Sequence, residues 1–335
     1  MYFIVNTKAK GINLVKKLLL ILFLSTVFTC SVYAVVTDKI PEIVKNWEGV
    51  LHVKIRGQKQ CDAFFAKLKR GKGDGALSGD KIYCETAKKI EALDCDGESV
   101  CFNNKIRHLS REIRELKALW WLKLDHNCFS SIPSEIGGLK RLRQLRLWDN
   151  QFGVFPLQIV GLTNLEVLDL SDNQLEKFPS VGTLSKLENL ALNNNQLVSV
   201  SPEIGELKSL RQLWLDDNEI EVLPPEIGEL KLLKKLGLSH NQLKILPPQI
   251  GDLVNLRLLF LWSNQLTLLP SEFGKLRSLK ELYLWDNQLS SLPAEFGNLG
   301  SLRDLSLRWN KFALLPPEII KLTSLRLDFR DNEMQ

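Results

Sequence analysis

The stretch LRSLKELYLWDNQLSSLPAEFGN occupies residues 276–298, and the next copy begins directly after it with LGSLRDLSLRWN at residue 299. The opening leucine of this unit recurs every 23 residues, except for one interval of 22 residues near Val181. The opening leucines are Leu116, Leu139, Leu162, Leu184, Leu207, Leu230, Leu253, Leu276, Leu299 and Leu322. A repeat of this length predicts a solenoid, because a single unit cannot bury its apolar face without its neighbours.

Apolar residues alternate with period 2 inside each unit. Leu282 and Leu284 are therefore expected to face a core, while Tyr283 and Trp285 face solvent. Parallel stacking of such strands gives a continuous leucine core and pairs the backbone groups. An asparagine follows each strand, and we interpret it as structural, because its short amide can bond the backbone of the turn. These asparagines are Asn127, Asn150, Asn173, Asn195, Asn218, Asn241, Asn264, Asn287 and Asn310.

The second half of each unit carries a proline and then a Glu-Ile-Gly stretch or a close variant of it. This pattern predicts a short helical turn whose isoleucine points into the core. The glycine is predicted to be a left-handed residue that ends the turn. The glycines in question are Gly137, Gly205, Gly228, Gly251, Gly274 and Gly297. The side of the solenoid that carries these turns is therefore expected to be scaffold.

From residue 93 to the end, the pattern resembles the leucine-rich repeat family. The Leu-Pro-x-Glu-Ile-Gly variant is most similar to repeats of secreted bacterial proteins and of some eukaryotic signalling scaffolds. The resemblance implies an α/β repeat solenoid, a horseshoe with a parallel β-sheet on the concave face and short helical or 3-10 turns on the convex face. We expect a degenerate capping repeat at 93–115 that opens at Leu93, nine regular repeats at 116–321 and a shortened terminal repeat at 322–335.

Residues 1–34 contain four lysines and no acidic residue, and an apolar run at 18–28 is too short to span a bilayer. Small residues at 32–34 offer a cleavage site, so we predict a secretory signal peptide and a secreted or cell-envelope protein without a stable transmembrane anchor. Lipid anchoring at Cys30 is the rival interpretation, although residues 27–29 fit a lipobox poorly.

The net charge of +5 comes largely from this leader, since 44 basic residues in the chain include its four lysines and 39 residues are acidic. The remainder of the chain is near neutral. A nucleic-acid partner is therefore not expected, because affinity for phosphate requires a concentrated basic surface.

Residues 35–92 are predicted to form a mostly helical N-terminal cap segment, with helices at 38–47, 62–69 and 81–92. In an exported protein, four cysteines ahead of the regular repeats predict two disulfides that staple this cap, with three possible pairings. The disulfide candidates are Cys61, Cys84, Cys95 and Cys101. A zinc site is disfavoured because there is no C-x-x-C pair. Cys128 is predicted to be an unpaired thiol.

The variable positions of the strands carry the candidate binding residues, because stacked strands present them in rows about 4.8 Å apart. Of the eight tryptophans, six fall on positions expected to face solvent. Exposed aromatic clusters mark contact surfaces, and Trp, Tyr and Arg supply most hot-spot energy. The alternative is that the rings only stabilise neighbouring strands by stacking. The predicted partner-binding residues are Trp121, Trp148, Trp214, Phe260, Trp262, Tyr283, Trp285, Arg308 and Trp309.

Acidic residues lie toward the N-terminal half of the array beside Lys123, Arg143 and Arg146, and for this mixed-charge zone we expect ordinary pKa values and at most a steering or rim role. The acidic residues are Asp125, Asp149, Asp172, Asp216 and Asp217. The four histidines are scattered, and no loop supplies the six to eight oxygens of a calcium site. No catalytic residue, metal site or cofactor is predicted, so the chain is not expected to be an enzyme.

The predicted function is that of an exported, non-enzymatic binding protein that recognises a partner protein through an aromatic-rich concave face. By the resemblance to secreted bacterial repeat proteins, the partner would be a host or envelope surface protein. The alternatives are glycan binding through the same tryptophans and self-association as an envelope structural protein.

Overall fold

The structure, a computed structural model, describes residues 44–45, 51–55, 57–70, 92–94 and 106–333. Within these ranges the chain forms one helix, α1 (Gly57–Arg70), and a single sheet of 13 strands in sequence order. The strands are β1 (Val44–Lys45), β2 (Leu51–Lys54), β3 (Ala92–Asp94), β4 (Trp121–Lys123), β5 (Gln144–Arg146), β6 (Val167–Asp169), β7 (Asn189–Ala191), β8 (Gln212–Trp214), β9 (Lys235–Gly237), β10 (Leu258–Phe260), β11 (Glu281–Tyr283), β12 (Asp304–Ser306) and β13 (Arg326–Asp328). No helix among the described residues is long and apolar enough to cross a membrane.

The strands β2 to β13 pair in parallel, and β1 pairs antiparallel to β2. Equivalent positions lie opposite each other, so that Leu236, Leu259 and Leu282 are neighbours in three consecutive strands. All three leucines are fully buried, whereas the positions on either side of them are largely half-buried. The predicted parallel-sheet solenoid with a continuous leucine core is confirmed, and we call the solvent-facing side of its sheet the concave face.

Short 3-10 turns connect the strands on the convex side, as predicted. They are Arg111–Glu115, Ser134–Gly138, Leu157–Gly161, Pro202–Glu206, Pro225–Glu229, Pro248–Asp252, Ser271–Lys275, Ala294–Asn298 and Pro317–Lys321. Each begins next to an extended residue, usually proline, and buries one isoleucine or phenylalanine. That apolar residue anchors the turn in the core.

The prediction for the glycines of these turns is wrong, because none of them has a positive φ. They are instead required by close stacking between neighbouring turns. A Cβ at Gly205 would lie 2.8 Å from the Glu226 carbonyl oxygen, and one at Gly228 would lie 2.6 Å from that of Gln249. The glycine therefore sets the distance between repeats and does not end the helix.

The 22-residue interval shortens the convex side only. Between β6 and β7 the described chain has no 3-10 turn, although Val181 remains buried. The strand register is unaffected, since Leu168 still pairs with Leu190. A parallel bridge between Phe178 and Val200 replaces part of the missing contact.

Helix α1 includes the helical piece predicted at 62–69 and docks against the first repeats. The Gln58 side chain accepts hydrogen bonds from the backbone N–H groups of Arg107 (2.7 Å) and His108 (3.1 Å), and Phe64 and Phe65 are buried. The predicted helix at 38–47 is contradicted at Val44–Lys45, which form an edge strand. The helix predicted at 81–92 is contradicted at Ala92, which begins β3, while residues 81–91 lie outside the described residues, as do residues 1–34.

The register predicted for the degenerate repeat is wrong at its start. Leu93 pairs with Leu122, the central leucine of β4, and not with the opening leucine Leu116. Ile106 is placed as predicted. Its backbone N–H donates to Oδ1 of Asn127, just as the N–H of Phe129 donates to Oδ1 of Asn150 in the next repeat. This first copy is therefore longer than the regular unit between its strand and Ile106.

The disulfide-stapled cap is not supported by the cysteines that the structure describes. Cys61 is a free, buried thiol on α1, and burial, reinforced by Asp62, raises its pKa to about 12. A thiol in such apolar surroundings is unreactive. Cys128 is free, as predicted. Cys84, Cys95 and Cys101 lie outside the described residues.

Candidate functional site

The asparagine after each strand holds the edge of the concave face. In one example, the Asn241 side-chain amide donates to the carbonyls of Leu215 (2.9 Å), Leu238 (3.1 Å) and Ser239 (3.1 Å), and its Oδ1 accepts the Ile220 N–H (2.9 Å). The same four bonds recur at Asn150, Asn173, Asn195, Asn218, Asn264, Asn287 and Asn310. The structural interpretation of these asparagines is confirmed.

The residue before each of these asparagines adopts a left-handed backbone, with φ between 49° and 57°. Most of these residues are Asp, Asn, His or Ser, as in His126, Asp149, Asp172, Asn194, Asp217, His240, Ser263, Asp286 and Asp331. Short polar side chains tolerate this conformation, whereas a bulky side chain is strained in it. Trp309 is the exception, with φ 51°.

An inner row of stacked rings crosses β8 to β11. Phe260 and Tyr283 are Cα partners, and their ring centroids lie 5.1 Å apart. The ring of Trp214 lies 6.1 Å from that of Phe260 although β9 separates their strands. Gly237 permits this approach, because a Cβ there would lie 2.7 Å from Cε3 of Trp214. The row is therefore continuous across three rings.

A second row of rings lies nearer the ends of the strands. Trp262 and Trp285 stack with centroids 4.4 Å apart and planes at 10°. Trp309 meets Trp285 edge-on at 5.7 Å, and the Arg308 guanidinium lies 3.9 Å from the centre of the Trp309 ring. The His240 ring meets the other side of Trp262 at 4.0 Å.

We call these six rings the aromatic patch: Trp214, Phe260, Trp262, Tyr283, Trp285 and Trp309. All are half-buried except Trp309, which is 45% exposed. Arg308 lies beside them, so seven of the nine predicted binding residues are brought together. His240 is not among the predicted residues, because in the sequence it is one of four scattered histidines. The signal in the sequence that could have indicated its contact with Trp262 is that His240 lies in the directly preceding repeat.

Trp121 and Trp148 lie apart from the patch, on β4 and just after β5. Trp121 is half-buried beside Gln144 of β5. Trp148 packs edge-on against His126 at 4.2 Å, and its indole N–H donates to Asp172. Trp120, which was not predicted, lines a second recess together with Lys140, Arg141, Arg143 and Glu166.

A recess of about 650 Å³ adjoins the patch on the side of β13. Its wall is formed by aromatic and charged side chains: Tyr283, Trp285, Asp304, Arg308, Trp309, Arg326 and Asp328. Several of these charges are already paired, since Arg326 binds Asp304 at 2.6 Å and Arg330 binds Asp328 at 2.8 Å. The recess is open and amphipathic, which suits a protein side chain.

The expectation of ordinary pKa values is wrong for two of the acidic residues. Asp125 is 2% exposed, and burial, reinforced by Asp169, raises its pKa to about 6. Burial also raises the pKa of Asp216. Their oxygens accept the backbone N–H groups of Trp148 (3.1 Å) and Ser239 (2.8 Å). These carboxyl groups fold back onto the next strand and so support the sheet rather than form a rim.

Among the described residues, no group of three or more His, Cys, Asp or Glu side chains could hold a metal ion. His126 Nδ1 lies 2.9 Å from Asp149 Oδ2, across adjacent repeats. Its ring packs against Trp148, so this pair belongs to the stacking between repeats.

Residues 93–216 and 199–311 match the model of a protein family described as a leucine-rich repeat region. A solved leucine-rich-repeat protein of Leptospira interrogans shares 36% identity over 76% of this chain and 69% of its own, with a TM-score of 0.69. A TDR receptor (27% identity, 76% of this chain, 50% of its own, TM-score 0.60) is also similar. The plant peptide hormone receptor RGFR1, solved in complex with RGF2, is similar as well. It shares 27% identity over 76% of this chain and 46% of its own, with a TM-score of 0.56. No curated protein matches the chain. The chain therefore belongs to the leucine-rich repeat family, whose fold suggests a protein-binding role.

Proposed function

We propose that this chain is an exported, non-enzymatic protein that recognises a partner protein through the aromatic patch. The observation that carries the proposal is the set of six rings on the solvent side of the sheet, arranged as two rows of three with each ring in contact with its neighbour along the row. Apolar surface of this extent is rarely left open on a monomer unless it contacts another molecule.

The backbone at Trp309 favours binding over mere stacking. A left-handed conformation costs about 1–2 kcal/mol for an ordinary L-residue, and the shorter side chains of other repeats tolerate it better. The edge contact with Trp285 gives back about 0.5–1.5 kcal/mol and the Arg308 guanidinium over the ring about 0.5–1 kcal/mol, so these contacts offset the cost without a clear net gain in stability. Because the Trp309 ring is also 45% exposed, its burial adds little, and a role in contacting a partner accounts for its presence.

The stacking geometry favours a protein over a glycan. A sugar stacks on an open ring face, yet Trp262 and Trp285 cover each other at 4.4 Å and nearly parallel. His240 packs against the other side of Trp262. The rings therefore offer mainly their edges, next to Arg308, and this combination is typical of protein hot spots. Two of the similar solved proteins are receptors, and one of them, RGFR1, was solved with RGF2 bound.

Export is supported by the leader, in which lysines precede an apolar run of residues 18–28 and small residues follow. Mass spectrometry of the protein from culture medium or envelope fractions should find a mature chain that begins after Ala34. A chain that begins at a lipid-modified Cys30 would show anchoring, and an intact Met1 in the cytoplasm would exclude export.

The function is tested by capture from extracellular and envelope protein extracts, followed by affinity measurement with the purified partner. The double variant Trp262→Ala/Trp285→Ala should weaken binding by about 30-fold or more, which is about 2 kcal/mol. Trp148→Ala is the matched control, because it removes an exposed tryptophan outside the patch. Both variants should retain the wild-type circular dichroism spectrum.

Three other outcomes would change the assignment. Unchanged partner affinity with a large loss of stability in the double variant would leave stacking as the only role of the rings. Loss of signal on a glycan array, rather than loss of a protein partner, would assign the patch to sugars. A mass that rises with concentration in light scattering, and falls in the double variant, would indicate self-association.

A further inference from the structure

Basic side chains form a continuous row along the edge where the chain enters the strands. Lys234, Arg257, Lys280 and Arg303 occupy the same position in four consecutive repeats, directly joined by backbone hydrogen bonds. Each residue donates its N–H to the carbonyl of the one before, at distances of 2.8 to 2.9 Å. We call these four residues the basic row. Adjacent members are about 5 Å apart at the backbone.

The row is exceptional because its charges are not balanced. In the first half of the solenoid, residues at the same position of adjacent repeats form ion pairs. Arg143 pairs with Glu166 at 3.0 Å, and Arg211 pairs with Glu188 at 3.3 Å. No ion pair within the described part of the chain involves any member of the basic row. Like charges on neighbouring strands oppose folding, so nothing in these repeats accounts for the row by stability.

The row runs alongside the aromatic patch on the same strands. Arg257 stands three residues before Phe260, and Lys280 stands three residues before Tyr283, which places each charge about 10 Å from the ring along the strand. Arg257, Lys280 and Arg303 are exposed. Two acids directly follow members of the row, and both have other partners. Glu281 accepts a hydrogen bond from the Tyr283 hydroxyl at 3.3 Å, and Asp304 is paired with Arg326 at 2.6 Å.

The opposite flank of the patch carries exposed acids, and its arginine, Arg308, is paired with Asp331 at 2.6 Å. Asp217 and Asp286 follow β8 and β11 there, and both are exposed. A uniform polyanion such as a nucleic acid or a sulfated glycan, laid over the patch, would meet repulsion on this flank. A protein segment with one acidic edge and one apolar face fits both flanks.

We infer that the partner docks an acidic, amphipathic segment across these repeats, with its carboxylates on the basic row and its apolar side chains on the aromatic patch. The inference rests on the proposed function and adds the chemistry and the orientation of the partner. Complementary charge on one flank fixes which way the segment lies and accelerates its association.

The test uses synthetic peptides as probes, measured by fluorescence anisotropy at low salt. The acidic probe has about 14 residues, long enough to cross four strands, with glutamates along one edge and leucines on one face. A second probe replaces each glutamate by lysine, and a third replaces each leucine by serine. The wild-type protein should bind the acidic amphipathic probe at least about tenfold more tightly than either of the others.

The decisive variant is Arg257→Glu/Lys280→Glu/Arg303→Glu, which should abolish the preference for the acidic probe. The control, Lys177→Glu/Lys244→Glu/Lys275→Glu, changes the net charge equally at exposed sites outside the concave face and should keep the preference. Equal binding of the acidic and lysine probes, or an unchanged preference in the decisive variant, overturns the inference. So does tighter competition by a heparin fragment or single-stranded DNA that depends on the same three residues.

The variant Trp262→Ala/Trp285→Ala separates this inference from the proposed function. Loss of binding in the tryptophan variant alone would leave the patch as the binding surface and remove the basic row from it. Loss in the charge variant alone would assign acidic segments to the basic row and count against the patch. Loss in both supports the inference as stated.

Discussion

At the scale of single residues, the buried asparagines connect consecutive repeats through hydrogen bonds with the backbone. Each one joins two consecutive repeats, because it donates to carbonyls of its own repeat and of the previous one and accepts an N–H from that previous repeat. A polar group that is buried without partners destabilises a protein by about 1–3 kcal/mol. The asparagine side chain therefore supplies the hydrogen bonds that backbone groups would otherwise have to make between the repeats.

We expect Asn241→Ala to lower the free energy of unfolding by about 2–4 kcal/mol, since the buried Ile220 N–H loses its acceptor and several carbonyls lose a donor. The measurement is the midpoint of urea unfolding followed by circular dichroism. Gln242→Ala is the control, because this neighbouring side chain is exposed. Equal midpoints for the two variants would contradict the structural role of the asparagine.

Asp125 makes stability depend on pH. Its pKa is raised to about 6 by burial and by Asp169, so its contribution is fully present below about pH 4 and is lost as the pH rises through 6. Asp125→Asn keeps an acceptor for the Trp148 N–H and removes the charge. We expect it to stabilise the protein by about 1–3 kcal/mol at pH 7.5 and to have little effect at pH 4. Urea midpoints of both proteins across this range are the measurement, and a gain that persists at pH 4 would exclude ionisation as its cause.

The sequence predicted the asparagines correctly but misplaced both Asp125 and the convex glycines. The asparagine recurs in every unit at the end of an apolar alternation, so a local pattern suffices. Whether Asp125 folds back onto Trp148 depends on the side chains of the next repeat. A glycine next to a short helical turn suggests a left-handed end, yet at Gly205 the deciding contact is a carbonyl of the next turn.

At the scale of elements, the packing of one 3-10 turn on the next is limited by its glycine. The turn Ser134–Gly138 holds two adjacent glycines in different surroundings. A Cβ at Gly137 would lie 2.8 Å from the Gln158 carbonyl oxygen, whereas one at Gly138 would have nothing within 4 Å. The two positions offer a matched comparison.

Gly137→Ala should destabilise the protein by about 1–3 kcal/mol, because the neighbouring turn must move away. Gly138→Ala should be neutral or stabilising by up to about 1 kcal/mol, since alanine restricts the unfolded chain. Thermal unfolding of the two variants side by side is the measurement. If Gly138→Ala proved the more harmful, the stacking explanation would fail and a special backbone conformation would replace it.

The regular elements were predictable because each unit repeats one periodic pattern. The start of the array was not, since Leu93 can serve as an opening leucine or as a strand leucine by pattern alone. Its pairing with Leu122 depends on a longer connection to Ile106 that carries no repeat signature. Val44–Lys45 likewise form a strand because β2 lies beside them.

At the scale of the whole molecule, charge is distributed unevenly along one edge of the sheet. Arg257→Glu would place an acid between Lys234 and Lys280 and so give both of them an oppositely charged neighbour, as Arg143 and Arg211 have in the first half. We expect a gain of about 0.2–1 kcal/mol in unfolding free energy at low salt, and almost none near 1 M NaCl, where the screening length is about 3 Å.

Urea unfolding at both salt concentrations measures this effect without adding ions through the denaturant. Lys244→Glu, exposed and outside the concave face, controls for the change in net charge. A gain that is equal in the two variants, or independent of salt, would show that the basic row carries no local repulsion.

The location of the site could be predicted from the sequence as far as it depends on which residues of a strand face solvent. Period-2 alternation places Trp262 and Trp285 on one face, and the 23-residue repeat makes them neighbours. The contact between Trp214 and Phe260 was not predictable, because it depends on the space above Gly237. The net charge does not indicate the basic row, since acids elsewhere in the chain cancel it.

The interval of 22 residues has a consequence for how such a surface can evolve. One residue is missing and a 3-10 turn with it, yet Leu168 still faces Leu190 and every row on the concave face remains aligned. A small insertion or deletion on the convex side can thus leave the ligand-binding surface unchanged. Gain or loss of a whole unit, by contrast, changes the recognition surface by one complete step. Length variation can therefore be absorbed by the scaffold while the sequence of exposed side chains changes independently.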